Sequence, residues 1–151
     1  MEWHEIKERK DINYLLEEYC GVHDSCLVEL NYKSGTYIDE EGSMNFGTNK
    51  ERELHMIFQS QCTEKVLELC FTDVKRFHVG EQDDYSCEIF QCYLEICSDL
   101  NINEDKDLIV WADNENFNPR KVIDGLNESS TTYVIAGDLK WRYLRGIKGG
   151  F

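Results

Sequence analysis

The segment YCGVHDSCLVEL, residues 19–30, places a histidine and an aspartate side by side between a predicted helix end and a predicted strand start. A His-Asp dipeptide is the core of a metal-dependent phosphohydrolase motif. Such a site needs further ligands on helices, whereas His55 and His78 fall in predicted strands. The pair can also form a structural corner, in which the His23 ring bonds the last helix carbonyls and Asp24 caps its own turn. The sequence favours the corner and leaves a ligand or hydrolase site at His23 and Asp24 as the alternative.

Seven cysteines provide thiols for metal binding, disulfides or nucleophilic catalysis. Cys62 follows a predicted strand end and is expected to be the most exposed. It lies seven residues from His55, which places the two on opposite faces of an extended segment and argues against a catalytic Cys/His pair. Cys87, Cys92 and Cys97 are spaced by five, so strand neighbours also face opposite ways. We therefore predict reduced thiols, no bound metal and no cofactor.

Residues 99–110 begin like a calcium-binding loop, with Asp and Asn at its first ligand positions. The glycine needed at position six is Glu104, and the bidentate glutamate needed at position twelve is Val110. Because these two positions set the geometry of such a loop, we predict a hairpin loop instead.

Acidic residues dominate the chain, whose formal net charge is −14. They concentrate in the segment 81–128, where thirteen Asp and Glu stand against three Lys and Arg. Such a surface repels nucleic acid and anionic membranes and attracts a basic protein or a cation. The acids expected to contact a basic partner are Asp83, Asp84, Glu104, Asp105, Asp107, Asp113 and Glu115. The alternative is that the acids only keep a small protein in solution.

Residues 140–145 interleave aromatic and basic side chains, a pattern that can stack bases or bind phosphates. In so acidic a chain we predict a final strand instead, with Trp141 buried and Lys140 and Arg142 outward. The sequence therefore indicates no nucleic-acid partner.

Apolar spacing predicts one helix followed by strands. The first twenty residues have helical periodicity, with Asp11 as the predicted N-cap and Gly21 just beyond the helix end. From residue 26 the period changes to two, and Val28, Leu30 and Tyr32 are expected to share an apolar face.

Further alternating segments predict six or seven strands with short connections, and strands joined in this way are usually antiparallel. Asn118 and Pro119 predict the start of a short helix. We therefore predict an α+β, β-rich fold: an N-terminal helix packed on a twisted antiparallel sheet of six to seven strands, curled or two-layered. A single domain is expected over residues 1–151, with 146–151 as a loose tail.

The apolar runs of the sequence are short and interrupted by charge, as in residues 67–71. A membrane span needs about 20 apolar residues, and a signal peptide needs an apolar core that the first residues lack. The expected location is therefore the cytoplasm, without membrane association.

Three short segments resemble a group of small bacterial single-domain proteins. They are the His23-Asp24-Ser25 step after the helix, residues 69–79 (LCFTDVKRFHV) and residues 135–141 (IAGDLKW). The group includes immunity proteins of polymorphic toxin systems and uncharacterised relatives. The polar insert over residues 33–49 departs from their pattern. The resemblance implies a β-rich domain in the bacterial cytoplasm and carries no catalytic residues across.

The favoured hypothesis is a non-enzymatic protein-binding module, such as an immunity-type inhibitor whose acidic surface binds a basic toxin domain. A second hypothesis is a small-ligand protein or hydrolase that uses His23 and Asp24, with His55 and Cys62 as further catalytic candidates. It requires these groups to converge in one pocket. A third is a structural domain without a discrete site.

Overall fold

The structure, a computed structural model, describes residues 2–84, 88–100, 102, 106–125 and 130–145, so the predicted tail lies outside it. Within these ranges the chain forms β1 (His4–Ile6), α1 (Arg9–Glu18), β2 (Ser25–Lys33), β3 (Tyr37–Ile38), β4 (Met44–Asn45), β5 (Glu53–Ser60), β6 (Val66–His78), β7 (Glu88–Ile89), β8 (Tyr93–Cys97), β9 (Leu108–Ala112), α2 (Pro119–Ile123) and β10 (Tyr133–Leu144). No helix in these ranges is long and apolar enough to cross a membrane.

The main sheet is antiparallel, with seven strands in the order β7-β2-β5-β6-β10-β9-β8, and β1 pairs with β10 beside this path. It curls into a half-barrel, and a helix packs against it. β5 pairs with β6 and β8 with β9, because short connections return the chain antiparallel to the preceding strand. The fold class predicted from the sequence is therefore confirmed.

The two longest strands, β6 and β10, pair along nearly their whole length, from His78 opposite Tyr133 to Val66 opposite Leu144. The alternation in the sequence suggests two strands, before and after Gly137. The structure joins them into one strand that continues through this glycine.

The strand β9 is buried on both faces, which explains its uninterrupted apolar sequence LIVWA. Ile109 and Trp111 belong to the larger core, whereas Leu108 and Val110 belong to a smaller one. The side chains that α1 and its C-terminal end add to the larger core are Ile12, Leu15 and Tyr19. The smaller core includes Val122 of α2. The sheet thus separates two apolar layers, and each layer includes residues of one helix.

The side chain of Tyr19 is fully buried, and its hydroxyl lies 3.0 Å from the Phe58 carbonyl and 3.2 Å from the Lys65 carbonyl. We expect Tyr19→Phe to lower the free energy of unfolding by about 1–2 kcal/mol, because both carbonyls lose this donor. Urea denaturation measures the change. Tyr14→Phe, at an exposed tyrosine of α1, is the matched control and should change stability by less than about 0.5 kcal/mol. Equal effects of the two substitutions would contradict a stabilising role for the buried hydroxyl.

The helix α1 begins at Arg9, so Asp11 lies in its first turn and is not the cap. The Asp11 carboxylate accepts hydrogen bonds from the backbone amides of Lys7 and Glu8, both at 2.9 Å. These bonds lower the pKa of Asp11. Asp11 therefore stabilises the helix start from within, where an anion also complements the helix dipole.

The apolar face predicted for β2 is wrong, because a bulge between Leu27 and Glu29 changes the alternation. Leu27 and Leu30 pack against the larger core. Val28 and Tyr32 are instead 40% and 39% exposed.

The strands β3 and β4 form a separate hairpin between β2 and β5. At its base, Glu51 lies so close to Gly35 and Gly47 that a Cβ atom at either glycine would collide with it. The Glu51 carboxylate also accepts a hydrogen bond from the Thr48 amide at 3.1 Å. The polar insert is therefore an excursion from the main sheet.

Candidate binding groove at the His23 corner

The corner between α1 and β2 has a strained backbone. Cys20, Val22 and Asp24 have φ angles of 52°, 55° and 49°, and Gly21 has a φ angle of 68°. The left-handed region costs a residue other than glycine about 1–2 kcal/mol and is least favourable for a β-branched residue such as Val22. Burial of the Val22 side chain offsets part of this strain. Strain of this kind is concentrated at functional sites.

Hydrogen bonds to main-chain carbonyls hold the corner against the end of β5. The His23 carbonyl accepts hydrogen bonds from the hydroxyls of Ser25, at 3.2 Å, and Ser60, at 3.5 Å. The Gln61 amide donates to the Asp24 carbonyl at 3.0 Å. The His23 ring instead pairs with Asp24, with 2.9 Å between Nδ1 and Oδ2. His23 therefore supports the corner through its backbone carbonyl, and its ring does not bond the helix carbonyls as predicted.

Two cavities that share Glu88 of β7 open beside this corner. The first has a volume of about 330 Å³ and is lined by Asp24 and Glu88. The second has a volume of about 370 Å³ and includes His23, Phe90 and Glu115. We call the two cavities together the acidic groove; its acidic residues are Asp24, Glu88, Asp113 and Glu115. Its described lining residues include neither lysine nor arginine.

Strand pairing brings Glu88 to the groove. In the register of β7 with β2, Glu88 lies opposite Cys26 and Ile89 lies opposite Ser25. The Ile89 side chain is buried, so alternation turns Glu88 toward solvent. The next residue, Phe90, is 68% exposed. A carboxylate and an aromatic ring therefore stand together beside the corner.

Asp113, which follows β9, is less exposed than Glu115. Burial raises the pKa of Asp113, although the Thr132 amide donates to this carboxylate at 3.2 Å and opposes the rise. A cation held beside Asp113 would stabilise its ionised form and lower the pKa again. The electrostatics of the groove therefore favour a positively charged ligand.

The structure divides the acids predicted to bind a partner. Those that line the acidic groove are Asp113 and Glu115. Those that are exposed outside the described lining are Asp83, Asp84 and Asp107. Those that lie outside the described residues are Glu104 and Asp105. Glu88 and Phe90 are not apparent from the sequence, because only the long-range pairing of β7 with β2 brings them to the corner.

The four catalytic candidates do not form a single site. The side-chain donor atoms of His23, Asp24 and Cys62 all lie within 4.8 Å of one another at the corner. His55 belongs to a different cluster, on β5 and β6. The structure therefore brings three of the four candidates together and places His55 elsewhere.

The cluster around His55 is a closed hydrogen-bond network. The His55 Nδ1 atom lies 2.7 Å from the Glu68 carboxylate, and Nε2 lies 3.2 Å from Glu53. Glu68 also accepts a hydrogen bond from Arg142 at 2.7 Å. Burial raises the pKa of Glu68, but the hydrogen bonds from Arg142 and His55 outweigh it, so the net shift is downward. Both ring nitrogens are thus engaged, which is typical of a structural network.

A buried ion cluster surrounds Asp73 in β6. Its carboxylate is 1% exposed and lies 3.0 Å from the Lys75 ammonium and 3.1 Å from that of Lys106. Burial raises the pKa of Asp73, but the two adjacent lysine ammonium groups outweigh it and the pKa is lowered. A Cβ atom at Gly137 of β10 would collide with this carboxylate, so the glycine makes room for the cluster. None of these residues is among the described lining of the acidic groove.

No protein family, no curated protein and no solved structure matches the chain. The fold and the site therefore define the protein by class, as a β-rich α+β protein with a half-barrel sheet and an acidic groove beside the α1–β2 corner. The resemblance to immunity proteins stays a prediction.

Proposed function

We propose that this protein is a non-enzymatic protein-binding module of the cytoplasm whose acidic groove receives a basic segment of a partner protein. An immunity-type inhibitor of a basic toxin domain is the form of this function that the sequence resemblance favours. The observation that carries the proposal is the lining of the groove by Asp24, Glu88, Asp113 and Glu115, without lysine or arginine among the described lining residues.

The groove offers two kinds of contact that suit an arginine or lysine side chain. Its carboxylates accept charge-assisted hydrogen bonds, which can be bidentate for a guanidinium. The exposed ring of Phe90 supplies a face on which a cation stacks. The net charge of −14 adds long-range attraction, which speeds encounter with a basic protein.

The test starts with capture of partners by the tagged protein from a lysate of its own source, at low salt, followed by release with increasing salt. The retained basic protein is then purified and titrated against the wild type and two double variants. Glu88→Lys/Glu115→Lys reverses two charges in the groove. Asp83→Lys/Asp84→Lys makes the same change in net charge at exposed acids outside the described lining and is the matched control.

We expect the groove variant to weaken binding about 100-fold or more, because each close interfacial charge pair contributes about 1.5 kcal/mol or more. The control should weaken binding less than about 5-fold, since rim charges contribute little. Association with the wild type should slow steeply as salt is added. Equal losses in the two variants, or association that salt does not alter, would contradict the proposal.

A second candidate function, a small-ligand protein or hydrolase, is favoured by the convergence of His23, Asp24 and Cys62. The 2.9 Å contact between the His23 ring and Asp24 resembles the pairing that orients a catalytic base beside a thiol. Cys62→Ala distinguishes the two functions. It leaves partner binding unchanged if the groove acts by charge, and it abolishes turnover if the thiol is a nucleophile.

A further inference from the structure

Cys20 places a second thiol next to the corner cluster. The Cys20 thiol lies beside the Cys62 thiol, and both residues are exposed. The donor atoms of His23, Asp24 and Cys62 already lie within 4.8 Å of one another. One sulfur, one imidazole and one carboxylate therefore meet at one place, and the second sulfur, that of Cys20, adjoins them beside Cys62.

Two fixed segments of the chain present these four groups. Cys20, His23 and Asp24 lie on the left-handed corner, so three of the donors come from within five consecutive residues. Cys62 follows β5, and its amide donates to the Ser60 hydroxyl at 3.0 Å. Its thiol also lies 3.8 Å from the His23 carbonyl. The hydrogen bond from the Gln61 amide to the Asp24 carbonyl, at 3.0 Å, holds the two segments together without help from a ligand.

We propose that Cys20, His23, Asp24 and Cys62 bind one zinc ion, or a divalent ion of similar softness. Thiolates and imidazole select zinc, whereas calcium and magnesium take oxygen ligands. Zinc bonds of about 2.0–2.3 Å imply roughly 3.3–3.8 Å between ligand atoms in a tetrahedron. The donor atoms of His23, Asp24 and Cys62 lie within 4.8 Å of one another and need to move by only about 1–1.5 Å to reach that arrangement. The exposed Cys20 side chain completes the set by rotating toward them.

The spacing of the cysteines by itself predicts no bound metal. The proposed site is not visible in that spacing, because its short-range pair is not two cysteines. It is Cys20 with His23, separated by two residues. The second thiol comes from Cys62, beyond two strands of the sheet, and its position depends on the fold.

Among the described residues, Glu53, His55 and Cys70 are a second group of metal-ligating side chains this close together. There, both nitrogens of His55 already have carboxylate partners, and Arg142 holds the Glu68 carboxylate that binds the ring. At the corner, the two thiols face solvent, and the adjoining groove raises the local concentration of cations. Of these two groups of side chains, the one at the corner is therefore the one that an ion can reach.

The test uses the full chain, reduced and metal-free, titrated with Zn²⁺ against a chromophoric chelator and separately with Co²⁺, whose absorption reports thiolate ligands. We expect one ion per chain, a sulfur-to-cobalt charge-transfer band, and an affinity that rises with pH because the ligands must lose protons. Cys20→Ser and Cys62→Ser should each lower the affinity at least about 100-fold and weaken the cobalt band. Cys26→Ser removes an exposed thiol of β2 outside the four ligands and should change neither readout.

Circular dichroism of the metal-free variants checks that each keeps its fold. Absence of saturable binding at one ion per chain, full binding by either corner variant, or an equal loss in Cys26→Ser would overturn the proposal. The titration contains no partner protein, so zinc binding and partner binding succeed or fail independently.

Discussion

Asp73→Asn is expected to lower the free energy of unfolding by about 3–5 kcal/mol. Asparagine keeps the shape of the side chain but removes the charge that lies 3.0 Å from the Lys75 ammonium. Lys75 is itself only 3% exposed, so the substitution removes a close counter-charge from a buried cation. Because a domain is stable by only about 5–15 kcal/mol, the variant should unfold at much lower temperature and denaturant concentration.

Thermal and urea unfolding measure this loss, and Asp138→Asn is the matched control. Asp138 lies on β10 as an exposed acid, so the same chemical change should cost less than about 0.5 kcal/mol there. A loss at Asp73 no larger than that at Asp138 would show that the ion cluster does not stabilise the fold.

The stability of the wild type should also depend on pH through Asp73. Its pKa is lowered in the folded state, so its contribution is complete above the unfolded pKa of about 4 and is lost as the pH falls through the folded pKa. The wild type should therefore lose stability more steeply than Asp73→Asn below about pH 4. If the unfolding free energies of the wild type and of Asp73→Asn fall equally steeply below about pH 4, the pairing of Asp73 with the two lysines is contradicted.

Trp111→Ala is expected to cost about 3–5 kcal/mol of unfolding free energy, because it opens a large cavity in the larger core. Trp111 is fully buried, and its ring centroid lies 5.5 Å from that of Phe58. Urea denaturation followed by far-ultraviolet circular dichroism measures the loss independently of tryptophan fluorescence.

Trp3→Ala is the control for this substitution. Its ring stacks with the cations of Lys140, at 4.6 Å, and Arg142, at 4.2 Å, near the surface. Such contacts contribute about 0.5–1 kcal/mol. Similar losses for the two tryptophans would mean that β9 is not the centre of the core.

The β-rich class follows from the sequence because alternation is a local signal. The short apolar run of β9 and the helix start at Asn118 and Pro119 are also local. The Asn118 side chain does accept the Arg120 amide at 3.0 Å, as the capping pattern predicts. Features of this kind need only neighbouring residues and can be predicted from them.

Other features depend on partners that are distant in the chain. The bulge after Leu27 is set by pairing with β5, so simple alternation places Val28 and Tyr32 on the wrong face. Alternation in the sequence predicts separate strands before and after Gly137. Gly137 instead lies inside β10, where the Asp73 carboxylate occupies the space that a side chain would need.

The candidate site could be predicted only in part for the same reason. The corner at His23 and Asp24 is visible as a change of period in the sequence. Glu88 joins it through the register with Cys26, and Cys62 joins it because β5 ends beside the start of β2. No short-range pattern encodes either approach.

Among the residues that the structure describes, the hairpin of β3 and β4 pairs with no strand of the main sheet, and Glu51 closes its base between two glycines. Few interactions therefore couple its formation to that of the half-barrel, and it can open as an independent unit. Insertions, deletions or a foreign peptide in this segment alter a closed loop at modest entropic cost. A change in the length of the insert is thus expected to leave the geometry of the groove and the corner unchanged.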